Sequence, residues 1–367
     1  MKRLLILIAV CMGVVLGVCA AGRQFMADGL MYEVSSETEG TVFVTGPDPY
    51  GPREGYLEGV TKVVVPSAVT DPSTGKEYNV TRVTINAFNM LPELEEIVFS
   101  EGIQDITGVW DLERLHKVTI PESVESIWGF NFLPALTNID LPDNLKSLGC
   151  NTFFSVGLQS LIVPESVKII DFESVMNCYD LASIELNGVE EIYEHSMGYF
   201  GKMKKLVLPP EFRMTFLDCI SGAMEEIWFM GDGVERQWEL SLISFNCSPK
   251  AVYCQRSNPP VFTSAETFEF NEENGRFSQN MFGGRENMKT IKLYVPQGCA
   301  EVYRQTPYWK EMQIEEYDFG ADIPLLTPDR ETAAGDGRLY DLQGRAVMSA
   351  SPAPGLYVRD GRKVLIR

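Results

Sequence analysis

One short alternation of apolar and polar positions recurs through the middle of the chain. Leu94–Phe99 reads Leu-x-x-Ile-x-Phe, and Leu115–Pro121 reads Leu-x-x-Val-x-Ile-Pro. The phrase returns at Leu136–Pro142, Leu158–Pro164 and Leu181–Leu186, then with a leading methionine at Met203–Pro209 and Met224–Phe229. Successive copies are 21, 21, 22, 23, 22 and 21 residues apart. Within a copy the alternation is that of a strand: Val118 and Ile120 point one way, Lys117 and Thr119 the other. Proline has no N–H to give to a ladder, so Pro121, Pro142, Pro164 and Pro209 end each strand. A second apolar pair follows in each unit, as in Val124 and Ile127, Leu145 and Leu148, Val167 and Ile170, and Val189 and Ile192. A Phe-containing turn then closes it, as in Ala87-Phe88 and Thr152-Phe153-Phe154. Such a unit has three sides and cannot bury its flat faces alone. It is stable only when stacked on copies of itself.

Period and leucine content therefore predict a repeat solenoid, a β-rich leucine-rich repeat with about 21–23 residues per repeat. Its ends read differently. Residues 21–59 do not repeat; Leu30–Val34 and Thr41–Thr45 alternate across Ser35–Gly40 and predict a hairpin that caps the open end. The solenoid is expected over 60–316, beginning with Val60–Pro66 and Tyr78–Ile85 on either side of a Pro72–Gly75 turn. After Gly231 the rhythm fails, and 232–287 reads as a polar insertion with a turn at Asn258-Pro259-Pro260. A last copy stands at Met288–Pro296. Glu301–Glu311 then predicts a short capping helix with Val302, Tyr303 and Trp309 inward, strained at its second turn by Pro307. A linker, 317–337, leads to a β tail, 338–367. There Leu339–Arg345, Gly355–Val358 and Lys363–Ile366 are expected strands, with a type I′ turn at Asp360-Gly361.

The N-terminus changes the picture from shape to address. Lys2 and Arg3 precede an apolar run from Leu4 to Val18 and the small residues Ala20, Ala21 and Gly22, which predicts a secretory signal peptide over 1–20. The run is too short for a membrane span, and no transmembrane segment is expected elsewhere. Leu16-Gly17-Val18-Cys19 offers a second reading, a lipid anchor on Cys19, although a lipobox wants a small residue where Val18 stands. Net charge is −20 and the pI near 4.6, which excludes sequence-independent nucleic-acid binding, since that requires clustered Lys and Arg. Export permits disulfides. Cys247 and Cys254 are close enough to clip a loop, while Cys178 and Cys219 read as small buried thiols at repeat turns.

These phrases, over about residues 60–315 and including Leu293-Tyr294-Val295-Pro296, Tyr303 and Trp309-Lys310, resemble the BspA-like subclass of bacterial leucine-rich repeats. That subclass occurs on the surfaces of gut and oral Bacteroidetes and of treponemes. The resemblance implies a cell-surface or secreted protein active in adhesion or ligand capture. The tail, from Leu339-Tyr340-Asp341-Leu342-Gln343-Gly344-Arg345 through Gly355–Val358 to Gly361–Arg367, resembles the C-terminal sorting domains of type IX secretion.

Catalytic chemistry finds little to work with, and no enzyme, cofactor or metal site is expected. His116 opens a strand and His195 lies in a turn, so each reads as a surface residue. No zinc spacing, P-loop, dinucleotide fingerprint or nucleophile elbow is present. The carboxylate pairs Glu95-Glu96, Glu190-Glu191 and Glu225-Glu226 are a candidate for glycosidase work, but they recur at solvated strand entrances. Gly46-Pro47-Asp48-Pro49 is turn chemistry rather than a calcium loop. Recognition is expected instead from the outward strip of the strands: Val98, Thr119, Asp140, Ile162, Glu185, Val207 and Trp228, with Lys292 in the last copy. Ile162, Val207 and Trp228 are large apolar groups at positions where solvent is expected, which points to a protein or glycan partner, host-derived ones included. The competing reading is a structural spacer with no ligand of its own.

Overall fold

The computed structural model describes residues 22–46, 59–84, 86–88, 91–193, 195–215, 219–231, 239–240, 245–262, 282, 285–320, 339–340, 355–359 and 362–366. The signal-peptide segment and most of the linker lie outside these residues. Two compact units divide the chain, 1–316 and 317–367.

The first unit is a β-solenoid of leucine-rich repeats. Its first side is a set of parallel strands laid in register, coil on coil. Lys62–Val65, Glu96–Phe99 and Lys117–Thr119 pair so that Val63, Ile97 and Val118 align. Ser160–Val163 pairs with Ser183–Leu186. Lys205–Leu208, Glu226–Phe229, Ala251–Cys254 and Lys292–Pro296 continue it, with Leu206, Ile227, Val252 and Leu293 in one row. Every one of these row residues is buried. The copy at Leu136–Pro142 buries Leu136 and Ile139 in the same way but forms no strand.

The second apolar pair of each unit builds the second side. Asp105–Trp110, Ser126–Leu133, Ser147–Leu148, Ile169–Ile170 and Glu191–Ile192 follow one another in parallel. The third side holds Phe153–Val156, Val175–Met176, Met197–Phe200 and Ile220–Gly222. Leucines and isoleucines from the first two sides meet phenylalanines from the third, and Phe88, Phe130 and Phe153 are fully buried. The buried corner hydroxyls are satisfied from coil to coil. Thr152 donates to the Ile127 carbonyl at 3.1 Å and Ser174 to the Gly149 carbonyl at 2.8 Å, so these polar groups carry no unpaired-burial cost.

Turning the corners requires left-handed backbone. One column of positive φ runs through Gly108, Gly129, Asn151, Glu173 and His195, and a second through Asp111, Phe132, Ser155, Asn177 and Tyr199. Strand register places the members of each column on successive coils. A Cβ on Gly129 would lie 3.1 Å from the Gly108 nitrogen, so this first corner is also crowded early in the array.

The N-terminal hairpin forms as expected, Leu30–Ser36 antiparallel to Thr41–Thr45, and a further strand, Gln24–Ala27, extends it. Thr41–Thr45 runs parallel to Glu77–Val83 and so seats the cap on the first coil. Arg23 locks the join: it reaches the buried Asp71, and it bonds the Tyr78 hydroxyl at 2.6 Å. Burial alone would raise the Asp71 pKa, but hydrogen bonds from Arg23 and Ser73 outweigh it and hold the carboxyl well below its usual range. Hydrogen bonds from Lys76 and Tyr78 lower Glu37 to about 2.

Three expectations change at the other end. The rhythm does not fail after Gly231: Ala251–Cys254 is a further coil, with Lys250 set 25 residues after Glu225. It lacks the leading Leu-x-x-Ile and so escapes the pattern. The last copy is also two residues out of the expected register. Lys292 aligns with Ala251 and Glu226, and Tyr294 with Tyr253 and Trp228, because Ile291, Leu293 and Val295 all bury inward. Finally, the helix is Ala300–Gln305, followed by a 3-10 turn at Trp309–Glu311, a break that Pro307 accounts for. Tyr303 and Trp309 are buried, with the Trp309 indole donating to the Pro260 carbonyl at 2.8 Å. Val302, expected inward, is exposed. Short helices present one narrow face, and Tyr303 occupies it.

In the second unit Leu339–Tyr340, Gly355–Arg359 and Arg362–Ile366 form a three-stranded antiparallel sheet. Arg359 pairs with Arg362, so two residues connect these strands. The turn conformation at Asp360-Gly361 lies outside the described residues.

Candidate functional site

Strand alternation turns one row of side chains outward from the first side, and the structure sorts the expected strip into three parts. At its start Val98 is half-buried beside a charge ladder in which Glu96 pairs with Lys62 at 3.1 Å and Lys117 at 2.8 Å. Hydrogen bonds from those two lysines lower the Glu96 pKa, that from Lys117 most. In the middle Thr119 and Asp140 are exposed, Ile162 is 56% exposed, and Glu185 is half-buried. Val64, one coil before Val98, is exposed as well and belongs to the same row.

Farther along, Val207 and Trp228 do not face solvent, although Lys292 does. Trp228 is 5% exposed and Val207 8%. Trp228 stacks on Tyr253 with ring centroids 3.7 Å apart and planes 4° apart, and Tyr253 stacks on Tyr294 at 4.6 Å. The Lys205 ammonium stands 4.6 Å from the Trp228 ring centroid, and the indole donates to Glu226 at 3.1 Å. In-register strands about 4.8 Å apart bring equivalent side chains close to ring-stacking distance. Aromatic residues on successive coils therefore cover one another. The expectation that Trp228 and Val207 offer open apolar surface is overturned. Tyr253 and Tyr294 were missed with the coil and the register that place them; their signal was the aromatic at the same strand position as Trp228.

Charges along this end are likewise internally matched. Glu225 receives Lys250 at 2.5 Å and Lys204 at 3.5 Å, and Lys292 pairs with Glu315 at 3.2 Å. Glu190 and Glu191 both meet Arg213. Each carboxylate pair thus has at least one member tied to a cation of a neighbouring coil. His116 is exposed, its Nδ1 3.3 Å from the Arg114 carbonyl, and His195 packs edge-on to Phe172 at 5.9 Å. Among the described residues no group of three His, Cys, Asp or Glu is placed to hold a metal ion, and no helix is long and apolar enough to cross a membrane. No disulfide joins the six described cysteines, so Cys247 and Cys254 do not clip a loop. Burial pushes the Cys178 and Cys254 thiols up to about 11 and Cys247 to about 12.

Known proteins match the solenoid. The BspA type leucine-rich repeat region model matches residues 109–220 in six copies. Among solved structures, a leucine-rich repeat protein from Bacteroides ovatus is 19% identical with a TM-score of 0.45, covering 74% of this chain and 70% of its own. The Treponema pallidum leucine-rich repeat protein is 19% identical with a TM-score of 0.37, covering 58% and 90%. A leucine-rich cell surface protein from Faecalibacterium prausnitzii is 12% identical with a TM-score of 0.26, covering 67% and 96%. No curated protein matches the chain significantly.

Proposed function

We propose that this is an exported, non-enzymatic binding protein, held at the cell surface or secreted. It captures a host-derived protein or glycan along the middle of its strand face. The observation that carries the reading is the stretch Thr119–Asp140–Ile162–Glu185, where an apolar side chain more than half exposed lies among polar groups on successive coils. Preorganised side chains on strands lose little entropy on binding, which suits recognition. The apolar leader from Leu4 to Val18 supports export, and the tail's resemblance to type IX sorting domains supports a Bacteroidetes origin and release by that route.

Capture of serum and mucosal components by the purified chain tests the reading. Ile162→Ser should cut capture at least tenfold with an unchanged melting curve. Undiminished capture by the folded variant removes the strand face as the site. The stacked and ion-paired C-terminal half of the face favours a second reading, a spacer whose surface is satisfied internally, and absence of any captured component supports it.

A further inference from the structure

We infer that the corner formed by Phe132, Tyr179 and Tyr199 is a second binding site, for a neutral polysaccharide. It lies on a different side from the strand face and does not depend on the reading given for that face.

The first argument is backbone cost. Phe132 has φ 55° and Tyr199 φ 55°, a region that bulky L residues adopt only under constraint. Other members of the same column are Asp111 and Asn177, whose short polar side chains favour this conformation, and the small Ser155. An aromatic there would be understandable if burial compensated it. Burial does not: Phe132 is 50% exposed and Tyr199 57%. Half-exposed rings recover only part of that cost by packing.

The second argument is the arrangement. Tyr179 is 61% exposed. Its backbone is pinned, because its carbonyl accepts the Gly201 amide at 3.2 Å and a Cβ on Gly201 would come within 2.6 Å of that oxygen. Phe132 meets Phe154 edge-on at 5.6 Å, with planes at 67°, unlike the parallel overlap that closes the Trp228 column. Register sets Phe132, Ser155, Asn177 and Tyr199 on four successive coils. At about 4.8 Å per coil, Phe132 and Tyr199 lie ~14 Å apart along a straight line, with a hydroxyl and an amide between them.

The chemistry selects the ligand. Exposed aromatic faces are electron-rich and attract the weakly positive C–H faces of pyranose rings, while Ser155 and Asn177 can exchange hydrogen bonds with sugar hydroxyls. Rings spread over four coils of a rigid edge, Tyr179 two coils after Phe132 and one before Tyr199, match a linear polymer rather than a compact molecule. The flanking Asp180 and Lys202 are paired at 2.6 Å, and a chain of net charge −20 repels acidic polymers. A neutral glycan fits both conditions.

Affinity electrophoresis of the full chain in gels containing laminarin, pullulan or galactomannan tests this, with polygalacturonate and heparin as acidic comparisons. At least one neutral glycan should retard the chain and neither acidic one should. Because Asn accepts the left-handed backbone, the variant Phe132→Asn/Tyr199→Asn should fold with an undiminished melting temperature and lose at least tenfold in affinity. Tyr179→Ala should lose affinity in the same direction, whereas Ile162→Ser should bind the glycan as the parent does. Lack of retardation by every neutral glycan, equal retardation by the acidic ones, or full affinity in the folded double variant overturns the inference. So does capture of a protein through this corner without glycan binding.

Discussion

Two columns of aromatic side chains run across the coils of this solenoid, one on the strand face and one at a corner. In the first, Trp228, Tyr253 and Tyr294 stack face to face and are sealed further by Lys205. In the second, Phe132, Tyr179 and Tyr199 stand half or more exposed, two of them on strained backbone. Both sets are aromatic and both ride on coils of the same pitch. What differs is whether aromatic residues fall on adjacent coils at one strand position. Where they do, they satisfy one another; where Ser155 and Asn177 intervene, they remain open. In a repeat array an outward residue is thus open or closed according to its neighbour one period away, not its own type.

The comparison can be broken at its stronger side first. Trp228→Ala should cost ~3 kcal/mol, toward the low end for loss of a packed Trp, read from chemical denaturation of the solenoid. A cost below about 0.5 kcal/mol would make this column as idle as the corner. A double-mutant cycle between Trp228 and Tyr253 should return a coupling of about 1 kcal/mol, as expected for a stacked pair. Near-zero coupling would show that each ring packs independently. Tyr199→Asn should act in the opposite sense and stabilise the array by ~0.5–1 kcal/mol, since Asn relieves the left-handed backbone; a loss of stability would mean that the ring contributes packing. The smallest effect is expected for Ile162→Ser, within about 0.5 kcal/mol as for other exposed positions. A larger drop in the denaturation midpoint would show that the strand face is covered.

Much of the fold was legible because inward positions answer to one rule. Val118, Ile139, Leu161, Ile184, Leu206 and Ile227 all bury as the alternation requires, and Tyr303 and Trp309 plug the far end. What escaped was whatever depends on a neighbour rather than on the phrase. The Ala251–Cys254 coil has the strand without the leading leucine, and its loss hid Tyr253. Without Tyr253, Trp228 read as open surface. The register of Lys292–Pro296 is set by which three apolar residues turn inward, and the sequence pattern permits two choices. The strained corner was invisible for another reason: periodicity shows which side chains turn inward and says nothing of the sign of φ at Phe132 or Tyr199.

The buried thiols carry a consequence for how this array opens. Only the thiolate reacts readily, and burial keeps Cys178, Cys247 and Cys254 protonated at neutral pH. Each therefore becomes labelled only when its own coil separates from the next. Because they sit at different points along the stack, with Cys219 between, the chain holds a set of native clocks. Their relative rates of alkylation in dilute denaturant would report whether the solenoid frays from one end or parts in the middle.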